Sequence, residues 1–215
     1  MKSQTKKVKL LILGESSVGK TALLNRFAQN EFIPTSSSTG MDYAIKMIEI
    51  DNKKVQLSVW DTAGQERYRS ITFNLYKDSQ GILLVFDLTN AKTFQTLEKW
   101  MQLIKANINE GFQIALIGTK CDLTDQIVVN RDMINEFLDK YDFQFEYFET
   151  SSLTNINISE CFIHLATKVF RANEELYLTL IAQGIDPEGN TASILLNGNQ
   201  HNKKKNKEKD KKCCE

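Results

Sequence analysis

Residues 8–13, Val-Lys-Leu-Leu-Ile-Leu, run straight into Gly14-Glu15-Ser16-Ser17-Val18-Gly19-Lys20-Thr21, and a helical pattern follows from about Lys20 to Phe27. A strand buried on both faces, a glycine-bounded turn and a helix opening on Lys-Thr is a demanding arrangement. The two glycines, Gly14 and Gly19, permit backbone turns that a side chain would block. Successive N–H groups of residues 14–19 can then face inward as an anion nest, and the helix N-terminus adds partial positive charge. In such a cradle Lys20 reaches terminal phosphates and Thr21 offers a hydroxyl to Mg²⁺. Chance produces glycine turns often, but rarely between a strand and a helix in this order.

The rest of the chain repeats the alternation. Val55, Leu57 and Val59 alternate with polar residues at strand period, and Asp51-Asn52-Lys53 reads as a turn back to a strand at 44–50. Residues 82–87 and 114–118 are two further buried strands, and 145–149 is a fainter one. Phe94, Leu97, Trp100, Met101, Ile104 and Ile108 recur at helical spacing, as do Phe162, Leu165 and Val169. Residues 28–43 read as a long loop, and nothing regular is read between 122 and 145. Strands alternating with helices predict an α/β domain. It should be a doubly wound, mostly parallel six-stranded sheet with one antiparallel edge hairpin and helices on both faces.

Two more segments sit where such a sheet places ligand contacts. Asp61-Thr62-Ala63-Gly64-Gln65-Glu66 follows a strand ending at Trp60. Asp61 suits a contact to Mg²⁺, Gly64 can turn an N–H onto a γ-phosphate, and Gln65 can orient an attacking water. Alone, Asp-Thr-Ala-Gly is an ordinary turn; behind the cradle it gains meaning. Thr119-Lys120-Cys121-Asp122 follows the strand at 114–118. The Asp122 carboxylate can accept two hydrogen bonds from guanine N1–H and the 2-amino group, whereas adenine would leave it facing an acceptor. The alkyl stem of Lys120 can cover the base. In Glu149-Thr150-Ser151-Ser152-Leu153 the Ser152 N–H can meet guanine O6.

With these four segments in this order, the chain resembles the Ras superfamily of small GTPases, specifically the Rab branch, over residues 8 to about 172. The branch features are Trp60 before Asp-Thr-Ala-Gly-Gln-Glu, Arg67-Tyr68-Arg69-Ser70-Ile71-Thr72, Leu84-Val85-Phe86-Asp87-Leu88-Thr89 and the terminal Cys213-Cys214. The resemblance implies GTP/GDP binding with Mg²⁺ and slow GTP hydrolysis, with Gln65 as the catalytic residue. It implies nucleotide contacts from Gly14 to Thr21, Thr39, Gly64, Thr119, Lys120, Asp122 and Ser151 to Leu153, and metal contacts from Thr21, Thr39 and Asp61. It also implies a GTP state that orders residues 30–43 and 62–77 for effectors, and vesicle trafficking as the role.

The chain departs from the branch pattern in places. Thr119 stands where Asn is commoner, though a Thr hydroxyl can still tie loops together. Ser152-Leu153 replaces the usual Ala-Lys, and Leu75-Tyr76 replaces two aromatics. The first switch reads Ser38-Thr39-Gly40-Met41-Asp42-Tyr43 and is one residue short. Counted forward from Thr21 the γ-phosphate-sensing position falls on Thr39; counted back from Asp61 it falls on Ser38. The forward interval of eighteen residues is the family's own and favours Thr39.

Formal net charge is zero, so the chain as a whole gives no signal for nucleic acid. The average conceals a tail: residues 203–215 carry seven Lys and three acids, leaving a mildly acidic body. Such a tail suits an anionic surface. Cys213-Cys214-Glu215 is not a four-residue prenylation box, but it resembles the double-cysteine ends that carry geranylgeranyl groups. Two lipid chains, or one chain with a basic patch, anchor firmly. The remaining cysteines, Cys121 and Cys161, match no zinc or disulfide spacing. Met1 to Lys7 is polar and lacks the core of a secretory signal.

The expected organisation is therefore a disordered 1–7, a GTPase domain at 8–172, a flexible linker with a basic end at 173–212, in which Leu176 to Ile181 can extend the last helix by a turn or two, and a prenylation signal at 213–215. The expected location is the cytoplasmic face of intracellular membranes, exchanging with cytosol. Expected partners are an exchange factor, an activating protein supplying an arginine in trans, a GDP-dissociation inhibitor and effectors, around a monomer. Two rival readings are a GTP-binding scaffold with impaired switching and a P-loop ATPase or small-molecule kinase. Gln65 opposes the first and Asp122 the second.

Overall fold

A computed structural model describes residues 6–33, 42–61, 79–107, 112–141 and 145–184. Six strands form one sheet: β1 (Lys6–Leu13), β2 (Asp42–Ile50), β3 (Lys53–Asp61), β4 (Gly81–Asp87), β5 (Gln113–Thr119) and β6 (Glu146–Thr150). Their order is β2-β3-β1-β4-β5-β6. Only the β2–β3 pair is antiparallel, joined through Asp51 and Asn52, both at positive φ. The doubly wound sheet with one edge hairpin is as the sequence predicts. The chain reverses direction of build at β1, which has β3 on one side and β4 on the other. That is the point where an open parallel sheet leaves a crevice at its C-terminal edge.

The central strands are apolar over residues 10–13, 82–86 and 114–117 because each faces two cores. Leu83 and Val85 of β4 join Leu10 and Ile12 beneath α1 (Lys20–Gln29) and the last helix. Ile82, Leu84 and Phe86 join Leu11 and Leu13 on the other face. There they meet α2 (Ala91–Gln95), α3 (Leu97–Asn107) and α4 (Arg131–Asp139). The final helix, α5 (Ile158–Ala182), lays Phe162, Leu165 and Val169 into the first core, with Phe162 stacked on Phe27 of α1 at 4.1 Å.

Four expectations need correction. The helical stripe predicted over 94–108 is, up to Asn107, two helices separated at Thr96, whose hydroxyl donates to the Thr93 carbonyl, and Ile108 lies outside the described residues. Helix α4 has no counterpart in the sequence reading; it is capped by the Asn130 side chain, which accepts from Met133 N–H, and it buries Ile134 and Phe137. Lys6 and Lys7, expected to be disordered, extend β1 and pair with Val55 and Gln56 of β3. Residues 173–182, expected as the start of a linker apart from an extension of the last helix at Leu176 to Ile181, are helical throughout, because α5 runs on to Ala182.

The last two corrections share a cause. Glu174 takes ion pairs from both Lys6 and Lys53. Lys6 also sits over the Tyr177 ring and Lys53 over Phe170. Arg171 grips the Asp51 carboxylate with two nitrogens, at 2.9 and 3.1 Å. The start of β1, the hairpin turn and the end of α5 hold one another.

Candidate nucleotide site

The phosphate cradle is held open by backbone geometry. Gly14 has φ +147°, Gly19 +98° and Ser17 +63°, the region where side chains are strained. A Cβ on Gly14 would lie 2.2 Å from the carbonyl oxygen of Val85, so the cradle presses directly on β4. Gly19 caps α1, and its carbonyl accepts from Leu23 N–H. Lys20 is 5% exposed and arches back over the loop, donating to the Gly14 carbonyl at 2.9 Å and the Glu15 carbonyl at 2.6 Å. Burial lowers its ammonium to about 8, against the pull of Asp61 and Glu15. An anion in the nest would favour the charged form.

Asp61 ends β3 beside the cradle and is 1% exposed. Its Oδ2 accepts from the Thr21 hydroxyl at 2.5 Å. Its Oδ1 is buried and has no hydrogen-bond partner among the described residues. Burial pushes the carboxyl up to about 6, opposed by the Thr21 hydrogen bond and by Lys20. A buried carboxylate oxygen without a donor is costly. Next to a hydroxyl, it is the donor set that a hard divalent cation takes.

The base side is assembled from three separate strand ends. The Thr119 hydroxyl donates to the Val18 carbonyl at 2.6 Å, with the Phe86 carbonyl 3.0 Å away. It therefore does tie the cradle to β4 and β5. Lys120, at φ +62°, reaches the Asp87 carboxylate at 2.5 Å and the Ser17 carbonyl at 3.4 Å. Asp87 itself is buried, and its other oxygen accepts from the Thr89 N–H and hydroxyl. Cys121 N–H donates to the Thr150 carbonyl, locking the 119–122 loop to the end of β6. Asp122 is half-buried on that loop. Ser151 and Ile156 close a small turn through two backbone bonds of 3.1 Å, and the Ser151 hydroxyl accepts from Thr154 N–H. Ser152 is half-buried on this turn and Leu153 is exposed.

Gly14 to Thr21, Asp61, Thr119 to Asp122 and Ser151 to Leu153 thus gather along the C-terminal edge of the sheet. Ser38, Thr39, Gly64, Gln65, Cys213 and Cys214 lie outside the described residues. The sequence reading assigned no role to Asp87 or Arg26. Asp87 had a signal, an acid closing an otherwise apolar buried strand. Arg26 had none, because its partners are 126 and 127 residues away.

An anion nest at a switch point, a hydroxyl–carboxylate pair beside it and an aspartate loop laced to it define a P-loop nucleotide-binding protein with a base-selecting pocket. Comparison with known proteins narrows the class. Residues 9–171 match the Ras family model. The chain is 43% identical over 164 residues to Ras-related protein Rab-10 of Diplobatis ommata, covering 76% of this chain and 81% of the relative. It is 41% identical to Ras-related protein Rab-13 of Rattus norvegicus and to Ras-related protein Rab-8B of Dictyostelium discoideum, covering 75% of this chain and 79% of each. The chain belongs to the Ras family and, within it, to the Rab branch of small GTPases, which hydrolyse GTP and act in vesicle trafficking.

Proposed function

We propose that the cradle, the Asp61–Thr21 pair and the two base loops act as one guanine-nucleotide site whose state is read at the adjoining surface. The carrying observation is the buried Oδ1 of Asp61, without a hydrogen-bond partner among the described residues, beside the Thr21 hydroxyl. Thr21 and Asp61, with Thr39, would hold Mg²⁺. When bound, that ion neutralises charge on the β- and γ-phosphate oxygens. The N–H groups of residues 14–19 bind the phosphates, and the Lys20 ammonium turns from its carbonyl partners towards them. Gln65 orients a water in line with the γ-phosphorus, and the Gly64 N–H contacts the γ-phosphate. Water oxygen bonds to that phosphorus as the bond to the bridging oxygen breaks, and phosphate carries the proton away. Lys120, braced by Asp87, covers the base. Asp122 accepts from its N1–H and 2-amino groups, and Ser152 N–H donates to O6.

The outer face of the hairpin supplies the readout surface. Tyr43, Ile45 and Met47 alternate outward along β2, and Tyr43 stacks on Trp60 of β3 at 5.2 Å. A cluster of exposed apolar side chains continuous with the site suits a protein partner, here effectors together with the exchange and activating proteins. Attachment to membranes would come from lipid on Cys213 and Cys214 with the lysine-rich segment before them. Among the described residues no helix is long and apolar enough to cross a membrane.

Thr21→Asn tests the metal role. It should weaken Mg²⁺-dependent GTP binding well beyond GDP binding in a fluorescent-nucleotide titration; equal loss of both contradicts that role. Replacing Cys213 and Cys214 by Ser should move the protein from the membrane fraction to the cytosol. Undiminished membrane association would refute lipid attachment.

A further inference from the structure

Helix α1 begins at the phosphates and ends at the base loop. Its first residues, Lys20 and Thr21, belong to the cradle. From its last turn, Arg26 reaches across to the turn after β6. Its Nε donates to the Ser152 carbonyl at 2.7 Å and Nη2 to the Leu153 carbonyl at 3.1 Å. The remaining nitrogen, Nη1, donates to the Asn30 carbonyl at the helix's own end, at 2.8 Å. All three guanidinium nitrogens are therefore engaged, two of them on the base loop. Asn155 adds a longer contact to Asn30 at 3.5 Å. The helix is itself immobilised: Phe27 stacks on Phe162, and Lys46 donates to the Phe27 carbonyl while lying over its ring.

We infer that Arg26 is a positioning residue for base selection, holding the Ser152–Leu153 peptide so that the Leu153 N–H, beside the separately fixed Ser152 N–H, faces guanine O6. A trans peptide points its C=O and N–H in opposite directions. Gripping the Ser152 carbonyl therefore fixes where the Leu153 N–H points. The Ser152 N–H is fixed separately, because the Ser151 carbonyl accepts from Ile156 N–H. The planar fork of Arg holds two carbonyls at once, whereas a lysine ammonium is a point charge without that geometry. The Ser152-Leu153 pair makes this grip more consequential, since Leu153 brings no polar group of its own to the pocket. Because α1 is a rigid rod of about 15 Å, the grip also sets the spacing between phosphate cradle and base loop. The inference rests on the reading above in which this turn meets O6.

The test compares GDP with the diphosphate of 2,6-diaminopurine riboside, which carries an amino group in place of O6 and has no N1–H, so that the effect read is the change each Arg26 variant makes to this preference. Dissociation constants are measured for full-length wild type, Arg26→Met and Arg26→Lys, using the active fraction of each. Wild type should favour GDP. Arg26→Met should lose about tenfold in GDP affinity, the scale of hydrogen bonds to a charged group, with little change for the analogue. Arg26→Lys should fall between. Equal loss for both diphosphates, or no loss for either, overturns the positioning role while leaving the base reading intact. A wild type that holds both diphosphates equally overturns the base reading and this inference with it.

Discussion

The two halves of the nucleotide site are built by different means. The phosphate half is one continuous stretch, Gly14 to Thr21, and its shape comes from local backbone angles and from contact with the strand beneath. The base half has no such continuity. Its parts come from the ends of β4, β5 and β6, and side chains hold them in place: Thr119 on Val18, Lys120 on Asp87, Arg26 on Ser152 and Leu153. A cradle made of backbone fails abruptly when the backbone is disturbed. A pocket laced together by side chains should loosen by degrees.

Substitutions can break that contrast. Gly14→Ala should have the largest effect. Its Cβ would collide with a carbonyl oxygen of the adjacent strand, a clash that only backbone movement relieves. GDP affinity measured by calorimetry should fall about 100-fold, equivalent to roughly 3 kcal/mol. A loss below about threefold would show that the cradle yields more easily than its geometry implies. Asp87→Asn comes next. It keeps the shape and the Thr89 contacts but turns an amide towards the Lys120 ammonium. Release of fluorescent GDP should quicken about tenfold with hydrolysis of bound GTP unchanged; a parallel fall in hydrolysis would mean that the halves are not separable.

The smallest effect is a gain. The Thr119 hydroxyl has one proton for two carbonyls, Val18 and Phe86. A carboxamide has two donors, so Thr119→Asn should slow GDP release by about two- to fivefold. Faster release would show that the branched side chain is needed for packing at this position.

The same contrast explains what the sequence disclosed. Gly14 to Thr21 was legible because its chemistry is contiguous and flanked by a strand and a helix. Strands β1, β4 and β5 were legible because burial on both faces leaves unbroken apolar runs. Helix α4 was not. Its Met133, Ile134, Phe137 and Leu138 do follow helical spacing, but the stripe is short and set among polar residues. The partners of Asp87 and Arg26 were hidden because a local pattern cannot reveal a residue 33 or 126 positions away, although the acid at the end of an apolar strand marked Asp87 itself. The end of the domain was misjudged for a related reason. Leu176 to Ile181 carry no clean stripe, and the contacts that hold the helix just before that stretch and at its start are made by Lys6 and Lys53 with Phe170, Glu174 and Tyr177.

Those contacts also settle which pole of the body the tail departs from. Lys6 opens β1 and Asp51 lies in the hairpin turn, so α5 finishes at the edge of the sheet opposite the cradle. The end of α5 and the nucleotide mouth therefore occupy opposite poles of the body, so whatever grips one leaves the other uncovered.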